Sequence, residues 1–342
     1  MLKNAAPTIL EAVYYIVSIC LKVQGFPKRF KVALLFPIPK AYGPLALTNM
    51  RPIALLEIVY KLTTGWLAQA IRTAATSAPT PLLHSSQFGS KADSVLQEPL
   101  FLLQAILEDA AEHPLKDLWV VLADVQAAFD SVGPGSKALT MRAAGLPESA
   151  INLIIDADDS ASISVITPAA GISDPFPAQQ GYRQGDPFSV LGWLLFINPL
   201  LVWLADGLPA TAPTVNHTPS DPIQQKHNGT HLRCDTPPME GCYQLSHSST
   251  RRPSLTFIND GACATSTFQG LVTYLERSSR YLEFHHAHPI KTVFTRRPPS
   301  TNGAQAPPPR PQPSSPMAHG CPSNIYLPPY PSNTSASITQ LI

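Results

Sequence analysis

The residues best suited to chemistry in this chain are carboxylates, and Asp124 stands out. It follows the apolar run Leu118-Trp119-Val120-Val121-Leu122 and opens the stretch Asp124-Val125-Gln126-Ala127-Ala128-Phe129-Asp130. A fully apolar run of this length predicts a buried strand, with Asp124 delivered at its C-terminal end. A carboxylate held on a rigid element is what a cation site needs, and Mg2+ takes one or two carboxylates together with substrate phosphates. An Asp after a strand also serves as a helix N-cap, so this stretch alone leaves both readings open.

Other acidic and metal-binding residue types are scattered along the chain. Residues 255–258 and 262–265 are strand-like and flank Asn259-Asp260-Gly261, a β-hairpin signature that brings Asp260 to a tip. Asp156-Ala157-Asp158-Asp159 closes an expected helix and reads as an acidic surface turn. His227, His231, Cys234, Cys242 and His247 match no standard zinc spacing. Five cysteines without a pairing pattern argue against a disulfide scaffold and for a reducing compartment.

The elements that must position these groups are mixed. Strands are expected at 31–38, 118–122 and 162–167, and helices at 53–75, 95–111, 135–144, 148–156 and 270–282. An amphipathic helix is expected near the N-terminus, where Glu11 interrupts the hydrophobic stretch and argues against a signal peptide. The apolar run 188–205 is long enough for a membrane span. Asn198-Pro199 interrupts it and Asp186 and Asp206 bracket it, so a buried core helix broken near Pro199 is expected and no membrane partner. Strands and helices do not alternate regularly, which makes the class α+β.

Charge is blocked along the chain. The 24 Lys and Arg nearly cancel the 23 Asp and Glu, for a net charge of +1. Residues 1–80 nevertheless hold nine cations against two acids, and residues 151–210 hold one against six. A basic segment before an acidic middle suits a protein that grips phosphate with one part and chelates cations with another. Proline is blocked too: twelve of the 37 lie in the 45 residues from 298 to 342, which read as a disordered tail. The segment 209–253, rich in His, Thr, Ser and Pro, reads as a poorly ordered insertion.

The order of short motifs sharpens this picture. Ile38-Pro39-Lys40, Asn49-Met50-Arg51-Pro52-Ile53, Tyr60-Lys61-Leu62 and Gln87-Phe88-Gly89 precede the Asp124 stretch. Gly181-Tyr182-Arg183-Gln184-Gly185-Asp186-Pro187-Phe188-Ser189, Phe257-Ile258-Asn259-Asp260 and Ile290-Lys291-Thr292 follow it. Over residues 20–294 this series resembles the reverse transcriptase domain of non-LTR (LINE-type) retrotransposons.

The resemblance implies a right-hand polymerase with fingers and palm, its antiparallel palm sheet packed on helices. Residues 1–117 would form the fingers and fingers/palm helices, residues 118–295 the palm, and 296–342 the proline-rich tail. It implies RNA-directed DNA polymerase activity on an RNA template and DNA primer with deoxynucleoside triphosphates, in an intracellular setting (nucleus or cytoplasm). Asp124, the Val125 carbonyl and Asp260 would hold Mg2+ (or Mn2+), with Asn259 at the other hairpin ligand position. Lys40 and Arg51 would hold the incoming triphosphate, and Phe129 would select deoxynucleotides by closing the space under the sugar 2′ position. Gln184-Gly185 would lie beneath the template–primer pair, where glycine lets a backbone approach closely. Arg183 is expected on a backbone phosphate or at the surface, and Lys291 at the pyrophosphate.

The chain also departs from the family pattern. The hairpin reads Phe-Ile-Asn-Asp where the family has aromatic-x-Asp-Asp. Asn offers a carbonyl oxygen without charge, so an impaired copy is expected. A binding protein that keeps fingers and palm without catalysis is the alternative. No endonuclease module is expected before residue 20, nor an RNase H module after 295. The thumb would begin where the proline-rich tail begins, which suggests a truncated or decayed copy.

Overall fold

The computed structural model describes residues 5–40, 50–89, 97–112, 117–167, 171–178, 180–208, 254–257, 260–288 and 290–296. Helix α1 (Pro7–Val23) leads through a 3-10 turn into β1 (Val32–Pro39), β2 (Met50–Leu56) and α2 (Ile58–Ser77). Then come α3 (Gln97–Glu112), β3 (Trp119–Val125), α4 (Pro134–Ala143), α5 (Glu148–Asp158) and β4 (Ser162–Thr167). Two short strands, β5 (Gly171–Ile172) and β6 (Phe176–Pro177), precede α6 (Ser189–Gly207). Strands β7 (Ser254–Phe257) and β8 (Asp260–Thr265), helix α7 (Phe268–Phe284) and β9 (Ile290–Arg296) close the described fold. The insertion 209–253, its His and Cys residues, and the tail from 297 lie outside the described residues.

The strands form two sheets. One has the order β2-β1-β4-β5, with β6 also on β4; β1 pairs antiparallel with β2 and parallel with β4. The other is a four-stranded antiparallel sheet, β7-β8-β3-β9. The class is therefore α+β, as expected.

The expected helix at 53–75 begins too early. Residues 53–56 belong to β2, and Glu57 at φ −55°, ψ 142° is the extended residue before α2. Leu56 is apolar and in step with the α2 face. The antiparallel pairing of Leu55 with Leu34 and Ile53 with Phe36 overrides that periodicity.

Strand β3 divides the interior. Val121, Ala123 and Val125 face the main core with Cys263, Leu271 and the helices α6 and α7. Leu118 and Val120 face a smaller cluster with Ile106 and Ala110 of α3, Leu255 and Ala264. This is the period-2 alternation of a strand covered on both faces. Beyond the cover of α3, the second face carries Leu122 and Asp124 into solvent.

Helix α6 is long and apolar enough to cross a membrane by length and composition, yet every residue from Leu191 to Leu201 is buried inside the fold. The expected break near Pro199 is absent: the helix runs from Ser189 to Gly207 with Pro199 inside it, because packing on all sides outweighs the one backbone bond that proline forgoes. Its one buried amide has a use. Asn198 accepts the His84 N–H at 2.7 Å and donates to Leu82 O at 3.3 Å, tying the loop after α2 to the core. Such pairing is what makes a polar group tolerable at this depth.

Candidate nucleotidyl-transfer site

Asp124 and Asp260 are register partners on neighbouring antiparallel strands. Directly opposed residues share a sheet face and stand about 5 Å apart at Cβ. Both are exposed. Burial and then the charge of Asp124 push the Asp260 carboxyl above its ordinary value. Two like charges held on rigid strands make a local negative field, and a hard divalent cation with oxygen ligands fits that donor set. Among the described residues no group of three or more His, Cys, Asp or Glu comes together for a metal. The hairpin differs from expectation in one detail: Asp260 opens β8 instead of lying in the turn. Its register partner in β7 is Phe257. Ile258 and Asn259 lie outside the described residues.

On the other side of Asp124 runs β9, with Lys291 in register with Asp124 and Ile290 with Val125. This strand was not expected as such. Ile290-Lys291-Thr292-Val293-Phe294 alternates with β-branched residues, and that signal could have found it. Val125, the last residue of β3, is buried.

The turn after β3 is tightly set. Ala127 takes left-handed φ 46°, and a 3-10 turn spans Ala128–Ser131. Phe129 is half-buried, its ring 5.8 Å from that of the fully buried Trp193. The structure thus gives Phe129 an aromatic backing and leaves part of it open. The protein around Asp130 pushes its carboxyl up, while Lys40 and His288 pull it down. Lys40, exposed at the end of β1, therefore acts electrostatically on the turn that follows Asp124. Arg51 is exposed on β2, opposite Ile38.

The segment 181–186 is bonded at one end to the turn after β3 and at the other to β2. Tyr182 donates its N–H to Phe129 O at 2.6 Å, and Gly181 donates to Val132 O at 2.9 Å. At the far end Ala54 of β2 donates to Gln184 O at 2.8 Å. Gly185 has φ +122°, and a Cβ there would stand 2.6 Å from Ala54 O, so only glycine allows this approach. Asp186 accepts from Phe188 N at 3.0 Å and from Tyr60 Oη at 3.2 Å. Burial pushes its carboxyl up, against the pull of those donors, Thr64 and Arg183.

Two expectations are corrected here. Arg183 is neither a surface arginine nor turned to solvent for phosphate: it donates to Ala157 O at 3.0 Å, and its guanidinium carbon lies 5.4 Å from the Tyr60 ring centroid. The segment 156–159 is not a free acidic turn. Asp156 pairs with buried Lys31 at 2.9 Å and accepts the Phe26 N–H at 2.6 Å. Asp158 pairs with buried Lys137 at 2.6 Å. Both lysines come from distant chain positions, which no local pattern reveals.

A four-stranded antiparallel sheet with paired carboxylates at one end, beside a second sheet whose rim carries cations, defines a right-hand polymerase architecture of fingers and palm. The family described as reverse transcriptase (RNA-dependent DNA polymerase) matches residues 38–215, just over half of the chain, and the chain belongs to that family. No curated protein sequence matches it. Among solved structures, it is similar to apo telomerase from Candida tropicalis truncated from its C-terminal domain. The TM-score is 0.50 and the identity 12%, over 86% of this chain and 56% of the telomerase. A telomerase from the same organism in complex with a fragment of telomeric RNA aligns with a TM-score of 0.47 at 12% identity, over 86% of this chain and 45% of that one. At such identity the likeness concerns the fold, and the chain spans little more than half of the first of these proteins.

Proposed function

We propose that this chain is the reverse transcriptase core of a non-LTR (LINE-type) retrotransposon, and that Asn259 impairs this copy. The register pairing of Asp124 with Asp260 carries the reading, because it sets two carboxylates side by side at one end of the palm sheet. The substrates are an RNA template annealed to a DNA primer and deoxynucleoside triphosphates. The primer 3′-hydroxyl loses its proton to solvent as its oxygen bonds to the α-phosphorus, the bond to the bridging oxygen breaks, and pyrophosphate leaves. Asp124, the Val125 carbonyl and Asp260 hold the divalent cations, with the Asn259 carbonyl a neutral substitute for a fourth donor. Bound Mg2+ or Mn2+ supplies Lewis-acid stabilisation of the attacking and leaving oxygens.

The other roles belong to side chains and backbone. Lys40 and Arg51 receive the triphosphate, where cations offset charge developing on pyrophosphate, and Lys291 assists there. Phe129, backed by Trp193, meets the sugar edge and favours a deoxyribose. The Gln184-Gly185 backbone lies beneath the template–primer pair. Residues 1–117 act as fingers with their connecting helices, and 118–295 as palm.

A primer-extension assay on an RNA template tests this. Restoring the charge with Asn259→Asp recovers a transition-state interaction of ~3–5 kcal/mol, roughly a hundred- to several-thousand-fold in rate. Equal and measurable extension rates for the two proteins overturn the impairment. The second reading, binding without catalysis, is favoured by the same Asn259. Its signature is salt-sensitive binding of primer–template with no extension by either protein.

A further inference from the structure

Lys137 closes the first turn of α4 and is 1% exposed. Its ammonium donates to Asp158 Oδ2 and to Gly181 O, each at 2.6 Å, and lies 4.5 Å from the Tyr182 ring centroid. A lysine at such depth loses its hydration, so burial pushes it down and Asp158 pushes it back up. An apolar residue of similar length would fill the same space without that cost. The cation instead holds one carbonyl, that of Gly181. Gly181 takes φ +91°, and a Cβ there would stand 2.9 Å from Asp130 Cα. The strand-end turn and the segment 181–186 are therefore in contact through bare backbone.

The ionic set continues along the segment. Arg183 reaches Ala157 O and the Tyr60 ring, leaving its buried Nη1 without a hydrogen-bond partner, and Asp186 takes the Tyr60 hydroxyl. On one side Lys137 and Asp158 back the six residues 181–186, which themselves supply Arg183 and Asp186. In front, main-chain bonds join the same residues to Phe129 at one end and to Ala54 at the other.

We propose that Lys137 is a positioning residue, which fixes the 181–186 segment so that the turn bearing Phe129 and the strand bearing Arg51 keep one register beneath the primer–template. This deepens the proposed function and rests on its placing of Gln184-Gly185 under the nucleic acid. The lysine touches no substrate. It acts through Gly181, and the charges of Lys137 and Asp158 answer each other so that both can be removed together.

The test compares the full chain with Lys137→Met/Asp158→Asn, which removes both charges and keeps the volume. Two measurements are made on each: amide hydrogen exchange, and fluorescence-anisotropy binding of an RNA template annealed to a recessed DNA primer. Positioning predicts that the amides of Gly181, Tyr182 and Ala54 exchange at least tenfold faster while β3 and α6 keep their protection. It also predicts primer–template affinity at least tenfold weaker. Uniform loss of protection, or a variant that does not fold, makes Lys137 a residue of global stability and overturns the proposal. Unchanged exchange at 181–182 and 54 overturns it as well, as does unchanged affinity in a protein that binds. If the unsubstituted chain itself fails to bind primer–template, the proposed function falls, and the exchange pattern still decides whether Lys137 holds the segment.

Discussion

Two pairs of aspartates invite comparison. Asp156 and Asp158 lie at the end of α5, and each meets a buried lysine within 3 Å. Asp124 and Asp260 lie in register at the end of the palm sheet, and the charge of one raises the carboxyl of the other. In sequence Asp156 and Asp158 are two positions apart, whereas Asp124 and Asp260 are 136 positions apart (260 − 124) and meet only through strand pairing. The difference is in what neutralises them. A carboxylate balanced by a cation from its own fold is committed to structure. Two like charges fixed on neighbouring strands repel each other, and that repulsion lowers when a cation arrives.

The largest expected effect separates the pairs by stability. Asp156→Ala strips buried Lys31 of its counter-charge and the Phe26 N–H of its acceptor. Removing one partner of such a pair costs about 3–5 kcal/mol, read as a lower midpoint in urea or heat. A midpoint within error of the unsubstituted chain would move Asp156 out of the structural class and dissolve the comparison.

A middle-sized effect tests the seam that joins the two regions. Gly185→Ala forces a side chain into positive φ with its Cβ 2.6 Å from Ala54 O. Strained backbone of this kind costs of order 1–3 kcal/mol, and the clash adds displacement of β2. Thermal unfolding should fall accordingly, and the Ala54 amide should lose protection before those of β3. If Ala54 and β3 exchange alike in this variant, the 181–186 segment does not join β2 to the palm as the hydrogen bonds indicate.

Much of this arrangement was legible in the residues, and the illegible parts share a cause. The strand 118–122 and the core helix 188–205 are legible because burial on all sides demands long apolar runs, and the hairpin because Asn259-Asp260-Gly261 is a turn signature between strand-like residues. The α+β class follows from strands and helices that do not alternate regularly, and the reverse transcriptase resemblance from ordered motifs. Strand β2 was read as the start of α2 because Leu56 fits a helical face, and only its pairing with β1 says otherwise. Lys137 and Lys31 were invisible for a related reason. A lysine on a helix or turn reads as solvated, and what buries it is a carboxylate on α5. Local pattern reports an element; it does not report which distant element covers it.

The smallest expected effect bears most directly on the two carboxylates of the palm sheet. Asp124→Asn replaces an exposed carboxylate with a neutral group of the same shape, so stability should stay within about 0.5 kcal/mol. What changes is titration. The Asp260 carboxyl is raised first by burial and then by Asp124, so the folded chain holds that proton more tightly than the unfolded one. The sign follows: this contribution to stability is present at low pH and is lost as pH rises through the raised folded value. In Asp124→Asn the burial remains and the like charge is gone. Asp260 should therefore titrate at lower pH, though still above an ordinary Asp, and the stability lost across that window should shrink. Carboxyl-carbon NMR of Asp260 in both proteins measures this. An Asp260 that titrates at the same pH in both would mean that the two carboxylates share no field, and it would remove the electrostatic reason for a cation at the end of the palm sheet.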